Sequence, residues 1–413
     1  MFWRMKRFHA AAMLALLMIL SAGGCNLPAL QEGEAAPAEE LDERLVEANN
    51  NFGFSLLKKL QKGDRENNLL ISPASIMTAL AMTLNGAEAE TRTEMENTLH
   101  LAGMSGEEIN EAFAGLLTIL HNPDPEVELA LANSLWARED VEFKETFINQ
   151  NRNFYDAEIS VLDFSDPDAA ALINEWIREK TGQKIDGIVE PPVNPDTILF
   201  LINALYFKGA WSEPFNPDQT REISFNLPDG TTMEHPVMFR TGLFEYLETD
   251  LFQAVRLPYG ENERIAMTVF LPSGEINPGQ FISGLNIDNW KEWNKAFRSM
   301  EGDLGLPRFG FTSEMSLNDV LSDLGMKIAF DENAADFSGM HPTPPRLFIS
   351  EVKHKTYIDV NEEGTEAAAV TSVEVEVTAM PERFSMVIDR PFFFTITDEM
   401  TGAILFMGTV FEP

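Results

Sequence analysis

From Thr365 to Val377 the side chains alternate with a period of two. Thr365, Ala367, Ala369, Thr371, Val373, Val375 and Val377 are small or apolar, whereas Glu366, Ala368, Val370, Ser372, Glu374 and Glu376 are largely polar. Alternation sustained over thirteen residues is the pattern of a strand with one face on a core and the other in water. Its surroundings do not suit a strand. It begins after Glu362-Glu363-Gly364 and runs toward Pro381, which cannot donate to a ladder. It also exceeds the common strand length of about five or six residues, and its leading inward side chains are unusually small. Small side chains let a segment slip between strands that already exist. By local pattern alone the stretch reads either as an ordinary long strand or as a loop that carries the pattern of a strand.

The remainder of the folded part, 41–413, contains no second linker, no repeat of fixed period and no low-complexity tract, so one large domain is expected. The Pro-rich "IVEPPVNPDT" and "GMHPTPPRL" are short enough to be loops within it. The first third reads as mainly helical. In "ISPASIMTALAMTLNGAEAET", Ser72 is placed to cap a helix, Pro73 suits its first position, Ile76, Leu80 and Leu84 share a face, and Gly86 stops it. In "AAALINEWIREKTGQ", Leu172, Trp176 and Ile177 form the expected buried stripe. After Thr197 strands dominate: "TILFLINALYFKGAW", "FQAVRLPY", "RIAMTVFLP", "RLFISEVKHKTYIDV" and a C-terminal hairpin, "FFFTITDEMTGAILFMGTV", turning between Thr397 and Gly402. Helices first and strands later predict an α+β fold around large sheets.

Residues 1–24 read as a signal peptide: Arg4, Lys6 and Arg7 precede an apolar run from Ala10 to Leu20 that is short for a membrane span. The sole cysteine, Cys25, follows small residues, as the lipidated cysteine of a bacterial lipoprotein signal does, although Ala22 stands where Leu is usual. An ordinary secretory cleavage near Ala22 is the other reading. Residues 25–40, rich in Ala, Pro and Glu, read as a flexible tether. The expected location is the cell envelope, lipid-anchored through Cys25 or secreted.

A formal net charge of −36 repels phosphate backbones, so nucleic acid is not expected as a partner. None of His9, His100, His121, His235, His341 and His354 falls into a zinc-binding spacing, and no Gly-x-Ser-x-Gly or phosphate-cradling glycine motif is present. No enzyme, metal or cofactor is therefore expected.

Four segments in order carry a resemblance. "NLLISPASI", "NALYFKGAWSEPF", "NEEGTEAAAV" and "RPFFFTI" with "GAILFMGTVFEP" are similar to signatures of the serpin family, and "NEEGTEAAAV" resembles the hinge of its inhibitory members. The resemblance covers 41–413. It implies three β-sheets with about nine helices, an exposed reactive loop, a monomer, and a suicide-substrate inhibitor of serine proteases, with cysteine proteases as a second class. A protease attacks the loop and forms an acyl-enzyme; the cut loop then enters the central sheet as a new strand and disorders the enzyme. A fold member that binds without inhibiting is the alternative.

Residue by residue, Glu362, Gly364, Thr365, Glu366, Ala367, Ala368 and Ala369 match the hinge. Ser72, Ser75, Asn203 and His354 match the polar cluster where the sheet opens; Trp211, Arg308 and Glu362 match the point of first insertion. Counting along the loop from Glu362 places the reactive bond between Thr378 and Ala379, with Ala379 and Met380 as the alternative because the loop is about two residues longer than usual. Lys and Arg are absent between Lys355 and Arg383, so elastase-like or subtilisin-like enzymes are the expected targets.

Overall fold

The computed structural model describes residues 41–61, 67–121, 123–274, 276–342, 346–365 and 383–413. In chain order these form α1 (Glu43–Leu60), β1 (Leu69–Ile71), α2 (Pro73–Leu84), α3 (Ala89–Thr98), α4 (Gly106–His121), β2 (Val127–Arg138), α5 (Glu145–Tyr155), β3 (Glu158–Leu162), α6 (Ala169–Lys180) and β4 (Leu199–Ala210). There follow β5 (Arg221–Asn226), β6 (Thr232–Glu248), β7 (Phe252–Tyr259), β8 (Ile265–Pro272), α7 (Pro278–Gly284), α8 (Ile287–Ala296), β9 (Arg298–Pro307) and β10 (Phe309–Ser316). The last elements are α9 (Asn318–Leu324), β11 (Ile349–Val360), β12 (Gly364–Thr365), β13 (Phe384–Val387), β14 (Phe392–Asp398) and β15 (Ala403–Val410).

The fold is α+β, with nine α-helices among the described residues. Hydrogen bonding joins the strands into two networks. One runs β10-β11-β4-β2-β3, with β12 added to the end of β4; the other runs β1-β15-β14-β8-β7-β6-β9-β13, with β5 on β6. Strand β6 pairs with β7 through Glu245–Glu248 and with β5 through 232–237. Because this one long strand serves both ends, the second and third of the expected sheets are continuous.

The α2 signals act as their chemistry requires: the Ser72 hydroxyl accepts the Ser75 N–H at 3.2 Å, and Pro73 occupies the first turn. Every residue of α2 is buried, so the helix lies between sheets rather than on a surface. Strands β14 and β15 pair antiparallel and are buried on both faces, as the apolar C-terminal run predicts.

Two expectations are corrected. Leu172 is 53% exposed, and the buried stripe of α6 is Ala169, Ala170, Ile173 and Ile177. The i, i+3, i+4 series starts at Ile173 and so collects Trp176 and Ile177 while turning Leu172 outward. The mainly helical first third also contains β2 and β3. Ala130, Ala132 and Ala137 give β2 a helix-favouring composition, but the strand lies between β3 and β4 and is held by ladders on both sides.

Candidate functional site

Strands β4 and β11 pair in parallel, from Ile349 opposite Leu199 to Tyr357 opposite Tyr206. This seam is crossed at mid-height by polar side chains. Along the inward face of β4, Leu201 and Leu205 flank Asn203; on β11, Val352 and Ile358 bracket His354 and Thr356; on β2, Leu135 follows Asn133. Asn203 is the register partner of both His354 and Asn133, so three polar groups form one row across three strands.

The row is tied to α2 beneath it. His354 Nδ1 meets Asn203 Oδ1 at 2.6 Å, and His354 Nε2 accepts the Ser72 backbone N–H at 3.2 Å. Because a backbone N–H only donates, Nε2 is unprotonated and the proton sits on Nδ1, donated to Asn203. The Asn203 amide nitrogen faces the Ser75 carbonyl at 3.1 Å and also reaches the Ser75 hydroxyl and the Asn133 side-chain oxygen. Burial alone lowers the His354 pKa, to about 3, and keeps the ring neutral. Asn133 Nδ2 is buried without a partner among the described residues, a deficit that costs about 1–3 kcal/mol.

At the upper end of the seam β11 leaves β4, and the chain turns through 361–363 to come back along β4. Gly364 pairs with Ala210 and Thr365 with Gly209, antiparallel. Gly364 has φ +139°, and a Cβ there would stand 2.1 Å from the Gly209 carbonyl oxygen. Only glycine permits this approach. Trp211 lies at the turn: its indole N–H donates to the Asn361 carbonyl at 3.0 Å, its backbone N–H to the Glu363 carbonyl at 3.0 Å, and its ring stacks on Tyr259 at 4.3 Å. The Tyr259 and Thr365 hydroxyls are 3.1 Å apart and buried.

Glu362 is buried and is gripped by Arg308 through contacts of 2.6 to 2.9 Å. The Thr220 hydroxyl donates to the same carboxylate. Burial pushes the Glu362 carboxyl up, but the hydrogen bonds from Arg308 and Thr220 outweigh it and hold the carboxyl below its ordinary range. The Arg308 side chain is 44% exposed, so water screens its half of the pair.

The structure thus brings Ser72, Ser75, Asn203 and His354 into one network and places Trp211, Arg308, Glu362, Gly364 and Thr365 together at the end of β4. Sequence reasoning missed Asn133, Tyr259 and Thr220. For Asn133 a signal existed: a mid-strand amide on the same face as Leu129, Leu131 and Leu135. Glu366, Ala367, Ala368, Ala369, Thr378, Ala379, Met380 and Cys25 lie outside the described residues. Among the described residues no group of three His, Cys, Asp or Glu side chains is arranged to hold a metal ion.

Residues 47–413 match the family model described as "Serpin (serine protease inhibitor)". An uncharacterized serpin-like protein of Thermococcus kodakarensis is 38% identical over 397 residues, covering 93% of this chain and 88% of its own length. Human Serpin B11 is 31% identical over 392 residues, covering 89% of this chain and 99% of its own length. The native thermophilic serpin Tengpin superposes with a TM-score of 0.84 at 32% identity, over 90% of this chain and 95% of that one. Human thyroxine-binding globulin complexed with its hormone gives a TM-score of 0.81 at 30% identity, over 90% and 99%.

Proposed function

The chain belongs to the serpin family, and from that premise we propose that it inhibits serine proteases as a suicide substrate, by inserting its cleaved loop between β4 and β11. One topological observation carries this reading. β4 and β11 are parallel to each other while β12 runs antiparallel to β4. A strand that continues from Thr365 down the seam is therefore antiparallel to both neighbours at once and completes regular ladders with each. A parallel pair is also slightly less stable per residue than an antiparallel one. Opening this seam separates His354 from Asn203, so the polar row is the lock across it.

The alternating stretch 365–377 is the strand that enters. Burying Val373, Val375 and Val377 contributes roughly 5 to 9 kcal/mol, and a dozen new ladder bonds contribute on the order of 10 kcal/mol more. That sum reaches the ~5 to 15 kcal/mol that keeps a typical protease folded. The proposed reactive bond is Thr378–Ala379, with Ala379–Met380 as the alternative. Val377, Thr378 and Ala379 suit a small apolar pocket, so elastase-like and subtilisin-like serine proteases are the proposed targets. A protease panel tests this: a complex that survives SDS is expected with pancreatic elastase or subtilisin, and trapping of trypsin-like enzymes alone would reject the bond assignment.

A second reading, a fold member that binds rather than inhibits, draws on a cavity of about 440 Å³ lined by Val46, Arg256, Ile287, Trp290, Lys291 and Glu399 among others. We also propose that residues 1–24 direct export and that 25–40 tether the domain from a lipidated Cys25. Expressed in bacteria fed labelled palmitate, the protein should take up label, and Cys25→Ser should lose it; equal labelling of both would rule the anchor out.

A further inference from the structure

The segment between α9 and β11 encloses a cavity of about 290 Å³ beside the start of β11, the end opposite the hinge. Phe337 and Leu347 give it apolar wall, and Asp336, Ser338, His341 and Arg346 give it polar groups. Its walls are pinned from several sides. The Thr91 hydroxyl accepts the Asp336 N–H at 2.9 Å, and the Gly86 carbonyl accepts the Gly339 N–H at 3.0 Å. Lys144 donates from Nζ to the Ser338 carbonyl at 2.6 Å and from its backbone N–H to the Met340 carbonyl at 2.8 Å. A Cβ on Gly339 would stand 2.7 Å from the Gly86 carbonyl oxygen, so the wall is pressed against the turn that follows α2. A cavity fixed in this way is formed before any ligand arrives, and little ordering opposes binding.

Three of its polar groups lack the partners that their chemistry calls for. His341 is 5% exposed, and its Nε2 is buried with no partner among the described residues. Its Nδ1 lies 3.1 Å from the Glu142 backbone nitrogen and 2.7 Å from the Glu142 carbonyl oxygen. When Nδ1 accepts the Glu142 N–H, the ring proton sits on Nε2, and a charged ring carries a proton there as well. Both forms call for an acceptor oxygen at Nε2. The remaining form, with Nδ1–H donated to the carbonyl and Nε2 bare, would leave the Glu142 N–H without its imidazole acceptor. Arg346, at the exposed rim, donates to the Asn333 carbonyl and forms no ion pair among the described residues. Asp336 accepts the Ser338 N–H at 3.1 Å, and no cationic side chain among the described residues pairs with it. A simple anion would meet two donors but also this carboxylate. A molecule that carries a positive group beside its own carboxylate meets complementary charge at both ends.

We propose that this cavity binds a small aliphatic α-amino acid: the carboxylate on Arg346 and His341 Nε2–H, the ammonium on Asp336, and the side chain against Phe337 and Leu347. The site lies apart from the reactive loop and does not depend on the inhibitor reading.

The test is calorimetric titration of the full chain with L-leucine and with two analogues, isocaproate, which lacks the ammonium, and isoamylamine, which lacks the carboxylate. Leucine should bind with a Kd between about 10 μM and 1 mM, the range open to so small a ligand. Each analogue should bind at least about tenfold more weakly, because each leaves a charged group of the site unpaired. Arg346→Ala, a change at the surface that leaves the core intact, should weaken leucine by about tenfold or more. Asp336→Asn should weaken leucine but tighten isocaproate, a reversal that a merely loosened loop would not produce. His341→Gln should weaken leucine and isocaproate together. No heat with leucine at about 10 mM, leucine binding unchanged in Arg346→Ala, isocaproate bound as tightly as leucine, or both ligands weakened in step by Asp336→Asn would each overturn the proposal.

Discussion

His354 combines two properties that pull against each other: it is fully buried and it can titrate. Its folded pKa is about 3 against an ordinary value of 6.5, so the native state holds it neutral while the unfolded chain takes up a proton below pH 6.5. The contribution to stability is thus complete above pH 6.5 and is lost as pH falls from there toward 3. At ~1.4 kcal/mol per pH unit, lowering pH from 7.5 to 5.0 removes about 2 kcal/mol through this one group. His100, whose pKa desolvation also lowers, acts in the same direction. Glu362, held below its ordinary 4.5, contributes only in a more acidic window. Urea unfolding midpoints at pH 7.5 and 5.0 check the assignment: the wild type should lose stability over this range, and His354→Gln, although less stable at pH 7.5, should lose clearly less. An equal loss in both would place the titrating group elsewhere.

The elements differ in how much of them the sequence reveals. β14 and β15 are legible because unbroken apolar runs flank a polar turn, a pattern that a helix does not share. α2 is legible from its Ser-Pro start. β2 is hidden, because alanines and the polar Asn133 and Ser134 dilute its alternation and only the neighbouring ladders decide its conformation. The same concealment explains the missing members of the site. His354 and Asn203 lie in strands whose apolar pattern makes a polar interruption conspicuous, and Asn203 also belongs to a segment whose family resemblance is strong. Asn133 sits in a strand whose leucine face is the one local signal for it, and the alanines around it weaken that signal. Tyr259 and Thr220 act through contacts with 361–365 that exist only after the β11–β12 turn brings the chain back over Trp211. A turn of this kind is set by tertiary packing; in the sequence, only Gly364 marks it.

At the scale of the molecule, the larger network carries the buried C-terminal hairpin, whereas the smaller one has a parallel seam whose partners are lined up for a strand between them. On the inhibitor reading proposed above, the native arrangement is a metastable state whose lowest-energy form lies on the far side of loop insertion. This can be tested without knowing the target protease. Any protease that nicks 366–382 frees the N-terminal arm to enter the seam while leaving β13 paired with β9 through Phe384–Val387. Insertion gains of about 15 kcal/mol, set against an unfolding entropy of ~2.1 cal/mol/K per residue over the domain, correspond to a rise in Tm of roughly 20 °C. Scanning calorimetry on intact and nicked chains should show that rise. On the same reading the polar row ties the result to this seam, since His354 and Asn203, in contact at 2.6 Å, would have to part for the strand to pass. A nicked chain that melts at or below the temperature of the intact one would mean that the seam does not open, and would leave binding through the uncut surface as the function to pursue.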